Sequence, residues 1–168
     1  MKKAKAFTLV EILIVVVILG ILAAVVIPSV AHNTISAKDS ALAVDLQLLR
    51  RVVLVYKSQH LEVGPGYPNG DNSLAPTEQD FIDQTTMSSN MNGQTAAIGT
   101  PGFNRGPYLM KIPANPFNNL NTVEILGNAQ AFPANADDSH GWIYKPDTSE
   151  VRADNAGTNS NGKRYYDF

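Results

Sequence analysis

The chain has no cysteine, which excludes disulfides, zinc–thiolate centres and thiol catalysis. Histidine is scarce as well. His32, His60 and His140 lie far apart with no metal-ligand spacing, so they read as surface or interface residues. No nucleophile elbow, phosphate loop or paired-carboxylate signature stands out, and no catalytic residue is assigned. Asn-x-Ser/Thr sequons and internal repeats are also missing. Charge of one sign is weak. The formal net charge is −2; three of the 13 basic residues are Lys2, Lys3 and Lys5, and one of the 15 acidic residues is Glu11. The part after Pro28 is therefore left with 10 basic against 14 acidic side chains. A mildly acidic body argues against non-specific nucleic-acid binding, and the basic–aromatic end "GKRYY" reads as a packed strand end rather than a nucleic-acid contact.

From Ile12 to Ile27 there is no charged or strongly polar side chain. Counted from Phe7, this run has about the 20 residues that a membrane-spanning helix needs. The three flanking lysines orient it with its N-terminus in the cytoplasm and the remainder outside. A basic start before an apolar run also opens a secretory signal, but no polar turn surrounds the small pair Ala23-Ala24. The small residue Ala6 instead precedes the run. Gly20 and Pro28 weaken a helix, and a kink or local unwinding is expected near Ala24 to Pro28. A plain lipid anchor needs neither residue, whereas a helix that repacks against other helices at close range uses both.

The stretch "AFTLVEILIVVVILGILAAVVIP" resembles the leader junction and N-terminal helix of type IV pilins and type II secretion pseudopilins. The match covers about the first thirty residues, with Ala6 where the family usually has glycine. The resemblance implies that a prepilin peptidase cuts between Ala6 and Phe7 and methylates the new amine of Phe7. It also gives Glu11 a purpose. A lone carboxylate in hydrocarbon is costly, and cleavage creates a positive amine nearby. Within one chain the two lie roughly one helical turn apart; between chains, Glu11 of an incoming subunit meets Phe7 of its neighbour and sets axial register. The resemblance implies the second pairing.

Beyond Pro28, Leu42, Leu46, Leu49, Val53 and Tyr56 recur at steps of four and three, the period of an amphipathic helix. Gly64-Pro65-Gly66 gives a stop. A continuous helix from Phe7 to about Glu62 would be roughly 84 Å long. Residues 64–106 are rich in Gly, Asn, Ser, Thr and Pro and read as an exposed connector, a surface for neighbour contacts. Within it Thr77 caps a short helix over "TEQDFIDQTTM", with Phe81 and Ile82 inward. In "GPYLMKIPANPFN", Tyr108, Leu109, Ile112 and Phe117 pin a proline-rich loop to the core. This segment resembles a Tyr-Leu…Pro…Asp-Pro-Trp segment of the major pseudopilins, with Asn115 and Phe117 in place of Asp and Trp. Strands are predicted at Val123–Leu126, Trp142–Tyr144 and Val151–Ala153, the last two joined by the turn "KPDTSE".

The fold class is α+β: a long N-terminal helix, apolar in its first half and amphipathic in its second, on a small antiparallel sheet. The organisation is a basic leader at 1–6, a transmembrane or filament-core helix at 7–28, an amphipathic helix at 29–63, and a connector with sheet at 64–168. Asp137, Asp138, Asp154, Asn155, Asn159 and Asn161 are hard oxygen donors in two loops. Calcium takes six to eight such ligands, and major pseudopilins carry a structural calcium in a late loop. The other reading is that these residues only make turns, and Gly157 stands where a calcium loop would lead with Asp. No other cofactor is expected. The function implied is a structural filament subunit, a homo-oligomer dependent on a prepilin peptidase, an assembly platform and its ATPase. It would sit in the inner membrane before assembly, then in a periplasmic pseudopilus or cell-surface filament. The competing class is a monomeric, membrane-anchored extracytoplasmic binding protein using the 64–106 region. An anchored enzyme has no motif in its favour.

Overall fold

The computed structural model describes residues 8–168, with the backbone alone for residues 25–33. Helix α1 spans Leu9–Gln59. It remains helical through Pro28, so the unwinding expected between Ala24 and Pro28 does not occur. Proline removes one N–H and one i→i−4 bond, and the hydrogen bonds of the flanking turns hold the rest. The stop comes earlier than Gly64. Leu61 and Glu62 both adopt positive φ (55° and 63°), and the Glu62 N–H closes back on the Lys57 carbonyl at 3.1 Å, a Schellman-type ending made without glycine.

The described residues form two compact units, one ending at Lys38 and the other spanning Asp39–Phe168. In the second unit, α1 supplies one wall of the core. Leu42, Leu46, Leu49, Val53 and Tyr56 are all buried to 1% exposure or less, as their spacing predicts. Helix α2 (Glu78–Thr86) starts at Thr77, whose hydroxyl accepts the Asp80 N–H, and it drives Phe81 into the same core. Two short strands, β1 (Ser88–Ser89) and β2 (Thr95–Ala96), pair within the connector.

The main sheet has the order β3 (Val123–Ile125), β4 (Trp142–Lys145), β5 (Glu150–Ala153). The β4–β5 hairpin is antiparallel, with Trp142 opposite Ala153. By contrast β3 runs parallel to β4, with Val123 opposite Trp142, so the sheet is mixed rather than wholly antiparallel. The link from Leu126 to Gly141 is long enough to bring the chain back to the same end of the sheet, which a parallel pair requires.

The connector is less exposed than its composition suggests. Tyr67, Gln84, Ser88 and Ser89 are buried. The Gln84 side chain accepts from the Gly66 N–H and donates to the Tyr67 and Gly93 carbonyls, at 2.7–2.9 Å. One amide thus satisfies three backbone groups that lie outside the short β1–β2 ladder. His60 is buried too, not a surface residue. It stacks on Tyr56 with ring centroids 3.7 Å apart, and its nitrogens meet the Tyr56 carbonyl at 2.7 Å and Ser89 Oγ at 2.9 Å. Burial lowers its pKa below the usual histidine value.

Candidate assembly site

Thr8 and Glu11 open α1. The Thr8 N–H and hydroxyl both donate to Glu11 Oε2 at 2.8 Å, and the Glu11 N–H returns to Thr8 Oγ1 at 3.3 Å. This is a reciprocal capping box, in which Thr-x-x-Glu satisfies backbone donors that no helical partner reaches. The carboxylate also sits at the positive end of the helix dipole. Glu11 therefore has a local structural role that the assembly reading overlooked, although Thr8-x-x-Glu11 is its plain sequence signature. Ala6 and Phe7, the predicted cleavage pair, lie outside the described residues.

From Leu9 to Leu22 the apolar side chains leave more than half of their surface uncovered: Ile18 is 51% exposed and Leu9 81%. All faces of the helix are alike in this. Gly20 has nothing within 4 Å of where a Cβ would stand, so in the single chain it relieves no crowding. Pro28 lies among the residues described by backbone alone. Among the described residues no helix is long and apolar enough to cross a membrane; the run predicted from Phe7 to Pro28 begins before them and ends among residues described by backbone alone.

The oxygen-rich loops are arranged differently from a cation cage. Asp154 is fully buried. Its Oδ1 accepts the N–H groups of Asp137 (3.0 Å) and Asp138 (3.3 Å), and its Oδ2 accepts the His140 N–H (2.8 Å) and the Ser139 hydroxyl (3.3 Å). Asp138 Oδ1 accepts from Asn155 Nδ2 and the Ala156 N–H at 3.0 and 3.2 Å. Asp137 Oδ1 accepts the Ser139 N–H at 3.0 Å, and the Ser139 bonds hold its carboxyl below the usual carboxylate range. Asn159 and Asn161 stand apart in a turn of their own, where Asn159 Oδ1 takes the N–H groups of Asn161 and Lys163. Among the described residues no three His, Asp or Glu side chains converge to hold a metal. The six predicted ligands, as placed, do not fit a bound calcium: four of them, Asp137, Asp138, Asp154 and Asn155, come together, and they do so through N–H donors.

Asn115 and Asn118, which sequence reasoning did not single out for this, complete that loop. Asn115 is fully buried and donates to the Gly141 carbonyl at 3.0 Å. Asn118 donates to the carbonyls of His140 (2.7 Å) and Asp154 (3.1 Å). Gly141 itself must be glycine, since a Cβ there would lie 2.1 Å from the Leu120 carbonyl oxygen. Ser139, His140 and Asp154 are adjacent, yet the carboxylate bonds the serine and the histidine backbone rather than orienting the imidazole. That lacks the base-and-orienter relay of a hydrolytic triad.

A groove of about 540 Å³ at the end of α1 is lined by Ser58, Leu61, Glu62, Met91, Asn104 and Arg105. Leu61 and Met91 are well exposed there.

The prokaryotic N-terminal methylation motif matches residues 1–27. Type II secretion system core protein G of Pseudomonas aeruginosa is 30% identical over 118 residues, covering 70% of this chain and 71% of that protein. The chain belongs to the core protein G family. Core protein G of Aeromonas hydrophila is 29% identical over 118 residues, 70% of this chain and 71% of its own length. The Vibrio cholerae core protein G is 29% identical over 120 residues, 71% and 69%. No solved structure matches the chain. The methylation motif is confined to the N-terminus; it is the identity over 118 residues that shows the core protein G family.

Proposed function

We propose that this core protein G relative is the structural subunit of a type II secretion pseudopilus, assembled through its apolar N-terminal helix. The observation that carries the reading is the exposure of every large apolar side chain from Leu9 to Leu22, a stretch of α1 whose one carboxylate is Glu11. Such a surface must be covered by lipid or by other helices. In the membrane it is covered by lipid; in the filament, by copies of itself. Exchange between the two is decided by van der Waals fit and polar pairing, since lipid and leucine are equally apolar. Gly20 and Pro28 then serve close helix approach between subunits.

A prepilin peptidase cleaves between Ala6 and Phe7, and the methylated amine of Phe7 becomes the partner of Glu11. Glu11 Oε2 is engaged by Thr8 of its own chain; Oε1 is the atom assigned to a neighbour's amine. An assembly platform and its ATPase supply the work of extraction, because this chain has no phosphate loop. The subunit waits as a single-pass inner-membrane protein and ends in a periplasmic filament.

Mass spectrometry of the mature N-terminus, combined with electron microscopy of sheared filaments, tests the reading. N-methylated Phe7 in filaments supports it. An uncut, monomeric protein in the membrane overturns it in favour of an anchored binding protein, for which the groove at Leu61 and Met91 is the natural site. Glu11→Ala inserts and is cleaved but yields few filaments; filaments at normal abundance refute the pairing.

A further inference from the structure

The resemblance to major pseudopilins implies a calcium-held late loop, and the donor set around Asp154 does not fit one. We propose that Asp154 replaces the cation: it is an internal anion, bound by the chain's own N–H groups, that closes the 137–141 loop without metal. A carboxylate offers about four lone-pair positions. All are met, by the N–H groups of Asp137, Asp138 and His140 and the hydroxyl of Ser139. Successive backbone N–H groups turned toward one point form a nest for negative charge. A cation placed on either oxygen would face those same positive dipoles at close range.

The surrounding bonds have the same polarity. The Asp154 N–H donates to the Gly141 carbonyl at 3.2 Å, so a single residue grips both ends of the 137–141 segment. Asn155 turns its NH₂ group, not its carbonyl, toward Asp138. Asn115 and Asn118 likewise present NH₂ groups to the backbone carbonyls of Gly141, His140 and Asp154. Those carbonyls are oxygens that a calcium could have recruited, and amide donors occupy them instead. The buried charge of Asp154 is balanced by four charge-assisted hydrogen bonds, which are stronger than neutral ones and are needed because an unpaired buried charge is not tolerated.

The test is a thermal melt of the full chain in detergent, in calcium chloride and in EGTA, followed by hydrogen exchange at the amides of residues 137, 138 and 140. We expect the same melting midpoint in both buffers and the same slow exchange at these amides. A cation bound well above its dissociation constant raises the midpoint by several degrees; such a rise with calcium, or amides protected only in calcium, overturns the proposal. Asp154→Asn removes the charge at nearly constant shape. It should speed exchange at these three amides at least tenfold, with no rescue by calcium. Unchanged exchange, or rescue by calcium, refutes the role given to Asp154. The wild-type exchange comparison decides the question even where the variant fails to fold.

Discussion

The two halves of α1 share a backbone and differ in everything their side chains meet. From Leu9 to Leu22 the helix is apolar on every face and exposed. From Leu42 to Tyr56 the stripe Leu42, Leu46, Leu49, Val53 and Tyr56 is buried, while Val44, Leu48, Leu54 and Val55 stay exposed off it. The same hydrogen-bond ladder therefore supports two uses: a surface left for other molecules, and a wall already consumed by its own core. Hydrophobicity alone does not separate these; what does is whether the chain's own core covers the face.

Substitutions can break this contrast or sharpen it. The largest expected loss is at the sheet that faces the buried stripe. Trp142 is fully buried and its indole N–H donates to the Pro113 carbonyl at 2.8 Å, so Trp142→Ala should destabilise by about 3–5 kcal/mol, read by urea denaturation. On the helix itself, Leu46→Ala should lower stability by about 2–5 kcal/mol. Its counterpart Ile14→Ala should leave the urea midpoint in place and reduce filament yield instead. If both variants shift the midpoint equally, the division of labour is wrong.

A pH titration probes the far end of the buried half. The His60 pKa is lowered by burial, so the folded state prefers the neutral ring. Its contribution is fully present above the unfolded value of about 6.5 and is lost as pH falls from there toward the lower folded value. The urea midpoint should drop over that window, and His60→Gln should flatten the drop. The smallest effect is expected at the cap of α2: Thr77→Ala removes the acceptor of the Asp80 N–H and should destabilise by about 1 kcal/mol.

What the sequence made legible follows from how local each signal is. The stripe Leu42–Tyr56, the Thr77 cap and the strands flanking "KPDTSE" depend on spacing within one element, and the structure has them within a residue or so of expectation. The parallel pairing of β3 on β4 depends on the route of a long link, which no strand sequence encodes. His60 was misread because its burial rests on Ser89, 29 residues away. The oxygen-rich loops were found, but composition does not say whether a carboxylate points at a cation or at N–H groups. That depends on the backbone of 137–140 wrapping around Asp154. The capping box of Thr8 and Glu11 was legible and went unread, because a carboxylate in an apolar run draws attention to the membrane before the helix end.

Arg50 and Asp39, both on α1, hold the other end of the chain. The Arg50 guanidinium donates to the Val151 and Phe168 carbonyls at 2.9–3.2 Å, across 101 and 118 residues. The Tyr165 hydroxyl donates to Asp39 at 2.7 Å, across 126. Contacts so distant in sequence form late, after most of the loop-closure entropy has been met. The stripe that becomes the core thus stays uncovered until the last residues arrive. A chain synthesised from its N-terminus passes through that half-built state before residues 151–168 can cover the stripe.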